Sequence, residues 1–440
     1  MSLRSIFFST SFMLLAIRLA GAGAGFLGQL LLARLLSPDA LGIFFAATSL
    51  AAVLGVATSL GYPDIVPRFI SRYRERERPA WTGAFIHRAF TDALIVSLAA
   101  GAALAVAAVL WPDAAASTRI VYILAGVAVP LLALFGINNG VAIARRAFAV
   151  AYVPESLMRP ILFLAILAGL YMVDAQVSLV AVTVAFFGVT ILMGGVQYAL
   201  IRSRIPRRIA IAPARLVARW RREGVFLIAV ALYTTLFADL AIILASPLLP
   251  SAELAAFGVA LKLALLVGFC VQVAHQVILP DLAEAHARRA LSGARDTLRS
   301  ASILPIVFTL AAVVASAIGG EYALALFHPD FAAAKWALTI LVACQLLRAF
   351  AGPSALLLTT IGAQGVNATI CLASTAVLAI GNLALVPVFG MVGAAAAVLM
   401  AWIFWLVASA IVLERRSGIR CDTIALVRRP AGSHTESSAG

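Results

Sequence analysis

Residues 8–36 read FSTSFMLLAIRLAGAGAGFLGQLLLARLL. An apolar run of this length exceeds the roughly 20 residues that a bilayer-crossing helix needs. The AGAGA segment has the small side chains of a leader-peptide cleavage region. Arg18 interrupts the apolar core, however, and the run continues well past any cut. A transmembrane helix is therefore the better reading. Arg18 lies ten residues into this run, which places it about 15 Å deep at 1.5 Å per residue. A charge at that depth is costly unless it faces protein, water or a charged cargo. Gly21 and Gly25 form a GxxxG spacing, which suits either close packing of this helix or a bend in it.

The same apolar character extends outward along the chain. Of its 440 residues, 63% are hydrophobic and only 12% charged. A water-soluble domain has too little interior for that much apolar surface, so lipid must be the main solvent. Twelve apolar windows of spanning length are separated by short connections. The expected fold is an all-α polytopic membrane protein with twelve transmembrane helices in two six-helix lobes around a central cavity. The lobes are expected at 1–201 and 224–413. A cytoplasmic amphipathic linker (202–223) joins them, and a partly disordered cytoplasmic tail (414–440) follows. In the linker, Ile209, Ile211, Leu216, Val217 and Trp220 interleave with arginines, a pattern suited to anionic headgroups.

A formal net charge of +14 could point to nucleic acid. The distribution of the basic residues argues otherwise. With the N-terminus inside, 27 of the 33 basic residues fall in inner segments, including clusters from Arg68 to Arg88 and from Arg202 to Arg222, and Arg159 in the short inner connection ARRAFAVAYVPESLMRP, which also holds Glu155. Only Arg34, Arg119 and Lys335 fall outside. This is the positive-inside pattern of a polytopic membrane protein and implies that both termini are cytoplasmic. The cysteines lie in spans and in the tail, so no disulfide framework is expected.

The two halves echo each other. LLARLLSPDALGIF, with a tight outer turn at Ser37-Pro38-Asp39, precedes an inner proline at Pro67, and IILASPLLPSAELAAF precedes one at Pro280. Six spans per half make such a repeat parallel, a layout that commonly encloses a central cavity. Arg18, Lys262 and Arg348 are the cations within spans, against one deep acid, Asp239. Asp239 and Lys262 sit at equal depth on neighbouring helices, so a structural ion pair and a substrate or proton role both remain open. The cationic excess suits a phosphate or pyrophosphate, which accepts paired hydrogen bonds from guanidinium. His275, Gln345, Gln272, Asn138 and Asn139 add polar lining. The candidate substrate-binding set is Arg18, Arg348, Lys262, Asp239, His275 and Gln345. No metal cluster, phosphate loop or nucleophile triad spacing occurs, so no cofactor is expected and an enzyme is disfavoured.

Three stretches carry a family resemblance. They are LLARLLSPDALGIFFAATSL, VPESLMRPILFL (Val153 to Leu164), and the run from about Leu357 to Leu413. The last contains GNLALVPVFGMVGAAAAVL, with Asn382, Pro387, Gly390, Gly393 and Ala394. Together they resemble the polysaccharide (oligosaccharide-lipid) flippases of the multidrug/oligosaccharidyl-lipid/polysaccharide exporter superfamily. The resemblance implies a rocking, alternating-access cycle that moves an undecaprenyl-pyrophosphate-linked sugar repeat unit to the outer leaflet. Cationic cavity residues would hold the pyrophosphate. Such a cargo serves O-antigen (lipopolysaccharide), capsule or exopolysaccharide synthesis. Expected partners are the lipid-linked oligosaccharide, membrane lipids, and a polysaccharide polymerase with its chain-length regulator. Two alternatives stand beside this one. A cation-coupled multidrug exporter of the same superfamily is disfavoured because no acid is expected deep in helices one to six. A non-transporting scaffold is disfavoured by the cationic cavity.

Overall fold

The structure is a computed structural model that describes residues 3–173, 177–206, 210–287, 291–352 and 363–417. Side chains are described for these apart from 3–15, 204, 275–287, 291–302 and 417. Every regular element among the described residues is helical. In hydrocarbon no water can satisfy free backbone groups, so each span must close its own hydrogen bonds.

The first six spans comprise α1 (Leu3–Leu35), α2 (Pro38–Thr58), α4 (Pro79–Val109), α5 (Ala116–Ala144), α7 (Arg159–Val173) and α8 (Leu179–Ile201). Two shorter helices join them: α3 (Tyr62–Glu75) and α6 (Phe148–Tyr152), the latter running into a π-helical turn at Val153–Met158. The second half comprises α9 (Ala214–Thr235), α10 (Phe237–Ala245), α11 (Ser251–Ala287), α12 (Leu291–Ala325), α13 (Lys335–Ala351) and α14 (Gln364–Ser417). α14 is two helices in one. Gly390, at φ 54°, breaks it. Its arms then fold back, so that a Cβ on Gly393 would overlap the Leu385 carbonyl and one on Gly381 would crowd Ala397. With α9 and α10 counted as one bent span and α14 as two, the spans among the described residues number twelve. Their lipid-facing surfaces are apolar: Met172, Leu110 and Val388 are all largely exposed.

Local sequence explains several boundaries. Ser37 caps α2 through its hydroxyl, and Pro38 opens the helix where its missing N–H is not needed. This is the tight turn expected at Ser37-Pro38-Asp39. Between α2 and α3, Leu60 and Gly61 both take positive φ. The segment after Pro67, read from the sequence as an inner stretch outside the spans, belongs to the α3 helix. Its buried residues Tyr62, Ile65, Val66, Phe69, Ile70 and Tyr73 recur at helical spacing.

At the arginine-rich end α9 is clamped to the first six spans. Arg221 donates to both carboxylate oxygens of Asp92 at 2.8 Å, and the Tyr62 hydroxyl donates to Asp92 at 2.8 Å. Arg88 forms an ion pair with the same carboxylate at 2.9 Å. Glu223 pairs with Arg68 and Arg219. The Trp220 indole donates to the Tyr73 hydroxyl at 3.0 Å and packs edge-on to Phe85. Trp220 was expected to rest on headgroups. It is instead fully buried in protein, because α3 and α4 offer it an aromatic pocket and a hydroxyl partner. A Cβ on Gly61 would overlap the Gly224 carbonyl, so the backbones touch here.

The opposite end has its own contacts between the two halves. Arg34, in the last turn of α1, donates to the Leu326 carbonyl just beyond α12 at 3.2 and 3.3 Å. Phe26 meets Phe327 edge-to-face at 5.6 Å. A Cβ on Gly42 would overlap the Ser251 carbonyl.

Candidate functional site

The glycines of the opening stretch place Arg18. A Cβ on Gly21 would overlap the Ser156 carbonyl, while Gly25 meets Pro160 and Gly28 meets Leu164, each at 4.0 Å. The stripe at 21, 25 and 28 therefore packs α1 along the π-turn and α7. Gly21 serves close packing, in the manner of small-residue helix interfaces in lipid. One turn earlier, the Arg18 guanidinium lies 5.0 Å from the centroid of the Tyr152 ring. It also lies within electrostatic reach of Glu155.

Glu155 and Arg159 were assigned from the sequence to an inner connection. The structure places both inside. Asn139 donates to Glu155 at 2.9 Å. Arg159 lies within electrostatic reach of Glu155 and Asp239, and its guanidinium lies 5.1 Å from the Phe186 centroid. The expectation that no acid lies deep in helices one to six is thus corrected. The chain from Phe148 to Val173 is nearly continuous helix, so the Glu155–Arg159 pair is carried inward rather than left in a loop. A signal was present: acid and base stand four apart between Pro154 and Pro160, flanked by Leu157, Met158 and Ile161, as on a helix face.

Asp239 sits in the first turn of α10, where the seventh span bends by 83°. The break falls inside a single apolar run. The Ser49 hydroxyl of α2 donates to Asp239 at 2.7 Å, linking the two halves. Lys262 lies within electrostatic reach of Asp239, but its ammonium rests 3.6 Å from the centre of the Phe45 ring. The two do not form a contact ion pair. Gly258, one turn before Lys262, leaves the room that Phe45 occupies. Lys262 also faces a cavity of about 270 Å³ between α1 and α11, lined by Gly25, Phe26, Gln29, Leu266 and Phe327 among others.

Arg348 on α13 stands apart from this group. Its guanidinium lies 5.6 Å from the Trp402 centroid, and among the described residues no acid or hydrogen-bond acceptor meets it. Trp402 in turn contacts Phe237, two residues before Asp239, at 5.4 Å between centroids. Gln345 is buried between α13 and α11 against Gly268, with no donor to its Oε1. The side chains of His275 and its neighbours lie outside the described residues. Gln272 is half-buried.

The structure thus gathers Arg18, Arg159, Lys262, Glu155 and Asp239 into one interior band, with Arg348 one aromatic layer away. Sequence reasoning missed Glu155, Arg159, Ser49 and the aromatic faces that carry the cations. Among the described residues no cluster of His, Cys, Asp and Glu is arranged to hold a metal ion.

The described helices, long and apolar enough to cross a membrane and carrying charges from both halves between them, define an all-α polytopic membrane protein. The fold is similar to a lipid II flippase, MurJ, in an inward-closed conformation, with a TM-score of 0.70 at 14% identity over 92% of this chain and 87% of that one. It is also similar to the MATE multidrug transporter DinF-BH (0.64, 14% identity, 94% and 96% covered). An inward-facing MATE-family multidrug resistance transporter of the MOP superfamily is comparable (0.63, 13% identity, 93% and 96% covered). At these identities the likeness concerns the fold. No curated protein matches the chain. The chain belongs to the polysaccharide biosynthesis protein family, whose model matches residues 8–286.

Proposed function

We propose that this protein is a flippase for an undecaprenyl-pyrophosphate-linked oligosaccharide repeat unit, moved from the cytoplasmic to the outer leaflet by alternating access. The reading rests chiefly on Arg348, a guanidinium held over an indole with no acid or acceptor beside it among the described residues. A desolvated guanidinium in such a setting favours a diphosphate, which supplies the paired acceptors it lacks. Arg18, Arg159 and Lys262 extend the cationic surface across both halves. Family membership supports a place in surface polysaccharide synthesis.

In this reading residues 1–201 and 224–413 are the two lobes, 202–223 joins them and 414–440 is a tail. The arginine-rich end faces the cytoplasm, the protein resides in the bacterial inner membrane, and both termini are cytoplasmic. The contacts of Arg34, Gly42 and Ser49 would separate as the lobes rock, and the Asp92 clamp would release in the opposite phase. A polysaccharide polymerase and its chain-length regulator would receive the cargo.

A second reading draws on the half-buried carboxylates Glu155 and Asp239. Acids at the centre of both halves suit a cation-coupled exporter of small molecules. Reconstituted vesicles separate the two. A flippase accelerates leaflet exchange of a fluorescent lipid-linked oligosaccharide, and Arg18→Ala and Arg348→Ala slow it at normal expression. Full exchange in both variants, or dye efflux without lipid exchange, would remove the flippase reading.

A further inference from the structure

We propose that a groove between α4, α5 and α8 is a lipid site that takes one anionic glycerophospholipid from the leaflet at the arginine-rich end. The groove has a volume of about 510 Å³, within the usual range for ligand pockets. Its walls are apolar, with Ile86 and Phe90 on α4, Leu134 and Phe135 on α5, and Ile191 on α8. Ile191, Gly195 and Tyr198 face outward, so the groove opens to the hydrocarbon. None of Arg18, Glu155, Arg159, Asp239, Lys262 or Arg348 lines it. Adjacent residues of α5 divide the two sites: Asn139 turns inward to Glu155, and Asn138 turns to the groove.

Two features select the occupant. The first is polar and buried. Asn138 is 3% exposed, its Nδ2 donates to the Gly194 carbonyl at 3.5 Å, and its Oδ1 has no donor. It lies six residues before the end of α5, hence about 9 Å from that end at 1.5 Å per residue. This is the depth at which a lipid's glycerol and headgroup hydroxyls sit, and a hydroxyl there would satisfy the orphaned acceptor. The second feature is charge. Arg202 is exposed and lies in the chain between the lining residues Tyr198 and Ile205, one turn beyond the first. A guanidinium at that level pairs with a lipid phosphate and favours anionic over zwitterionic headgroups. The lipid-linked cargo is a poorer fit, because its charged group would have to reach the interior band, none of whose charged residues lines this groove.

The test is native mass spectrometry of the purified, delipidated protein after adding back phosphatidylglycerol or phosphatidylcholine. The expected result is one retained phosphatidylglycerol and weaker retention of phosphatidylcholine. A Cβ on Gly195 meets nothing within 4 Å, so Gly195→Phe fills the groove without disturbing packing. It should reduce the retained lipid to background at an unchanged melting midpoint. Arg202→Gln should lower the preference for phosphatidylglycerol about fivefold. Equal retention of the two lipids by the wild type, or undiminished retention by Gly195→Phe, would overturn the proposal. Displacement of phosphatidylglycerol by an equal concentration of undecaprenyl phosphate would overturn it in favour of the cargo.

Discussion

Replacing Asp92 by alanine removes the carboxylate that ties α9 to α3 and α4. Its consequences can be worked through partner by partner. Tyr62 is fully buried, and its hydroxyl has Asp92 as its acceptor at 2.8 Å. Stranding that hydroxyl costs about 1–3 kcal/mol. Arg221 and Arg88 are 46% and 40% exposed, so both can turn to water when the carboxylate is lost. Each exposed pair is worth only about 0.2–1 kcal/mol. The Arg88 contact belongs at the low end, since its Nε approaches the carboxylate without hydrogen-bond geometry. Asp92→Ala should therefore destabilise the protein by about 2–4 kcal/mol, with most of the loss at Tyr62. Adding Tyr62→Phe removes the stranded hydroxyl, and the double variant should recover about 1 kcal/mol relative to Asp92→Ala alone. Denaturant titration in mild detergent, followed by tryptophan fluorescence, reads this directly because Trp220 packs in the same cluster. The reasoning fails if the double variant is no more stable than Asp92→Ala. It fails equally if Arg221→Ala costs as much as Asp92→Ala, since the arginine and not the buried hydroxyl would then dominate.

Other outcomes follow from the same contacts. Gly61→Ala places a methyl on the Gly224 carbonyl at a positive φ and should cost about 2–4 kcal/mol in the same titration. Gly23→Ala meets nothing and should be neutral or stabilise by about 0.5–1 kcal/mol, as expected for a mid-helix glycine. Ser49→Ala removes a 2.7 Å hydrogen bond to Asp239 and should cost about 1 kcal/mol. A double-mutant cycle between Asp239→Asn and Lys262→Met should give a coupling below about 1 kcal/mol, because no contact ion pair joins them. A coupling of several kcal/mol would restore the structural-pair reading.

The number of spans and their alternation were legible in the sequence, because lipid imposes strong local rules. A segment must be long and apolar enough to cross, and it must satisfy its backbone internally. The arginine bias, the Ser37-Pro38 cap and Gly390 between two apolar runs are local features, and each recurs in the structure as a shared end, a helix start and a hairpin. The helical spacing of Tyr62, Ile65, Val66, Phe69 and Ile70 was also on the page, but Pro67 and the following charges masked it.

Other features depended on contacts far apart in the chain. No proline or glycine marks the 83° bend at Leu236; it lies three residues before Asp239, which accepts from Ser49 of α2. Glu155 and Arg159 looked like loop residues because their segment is short and broken by Pro154 and Pro160, and only its packing along the glycine stripe of α1 carries them inward. Lys262 lies over Phe45 rather than against Asp239 because Gly258 admits the ring. Hydropathy and charge order the helices across the membrane, while helix rotation and lateral neighbours come from side-chain packing at large sequence separation. The sequence alone therefore determined that Arg18, Lys262, Arg348 and Asp239 lie within spans. Which of them share a surface, and which other residues join them there, was decided by the tertiary structure.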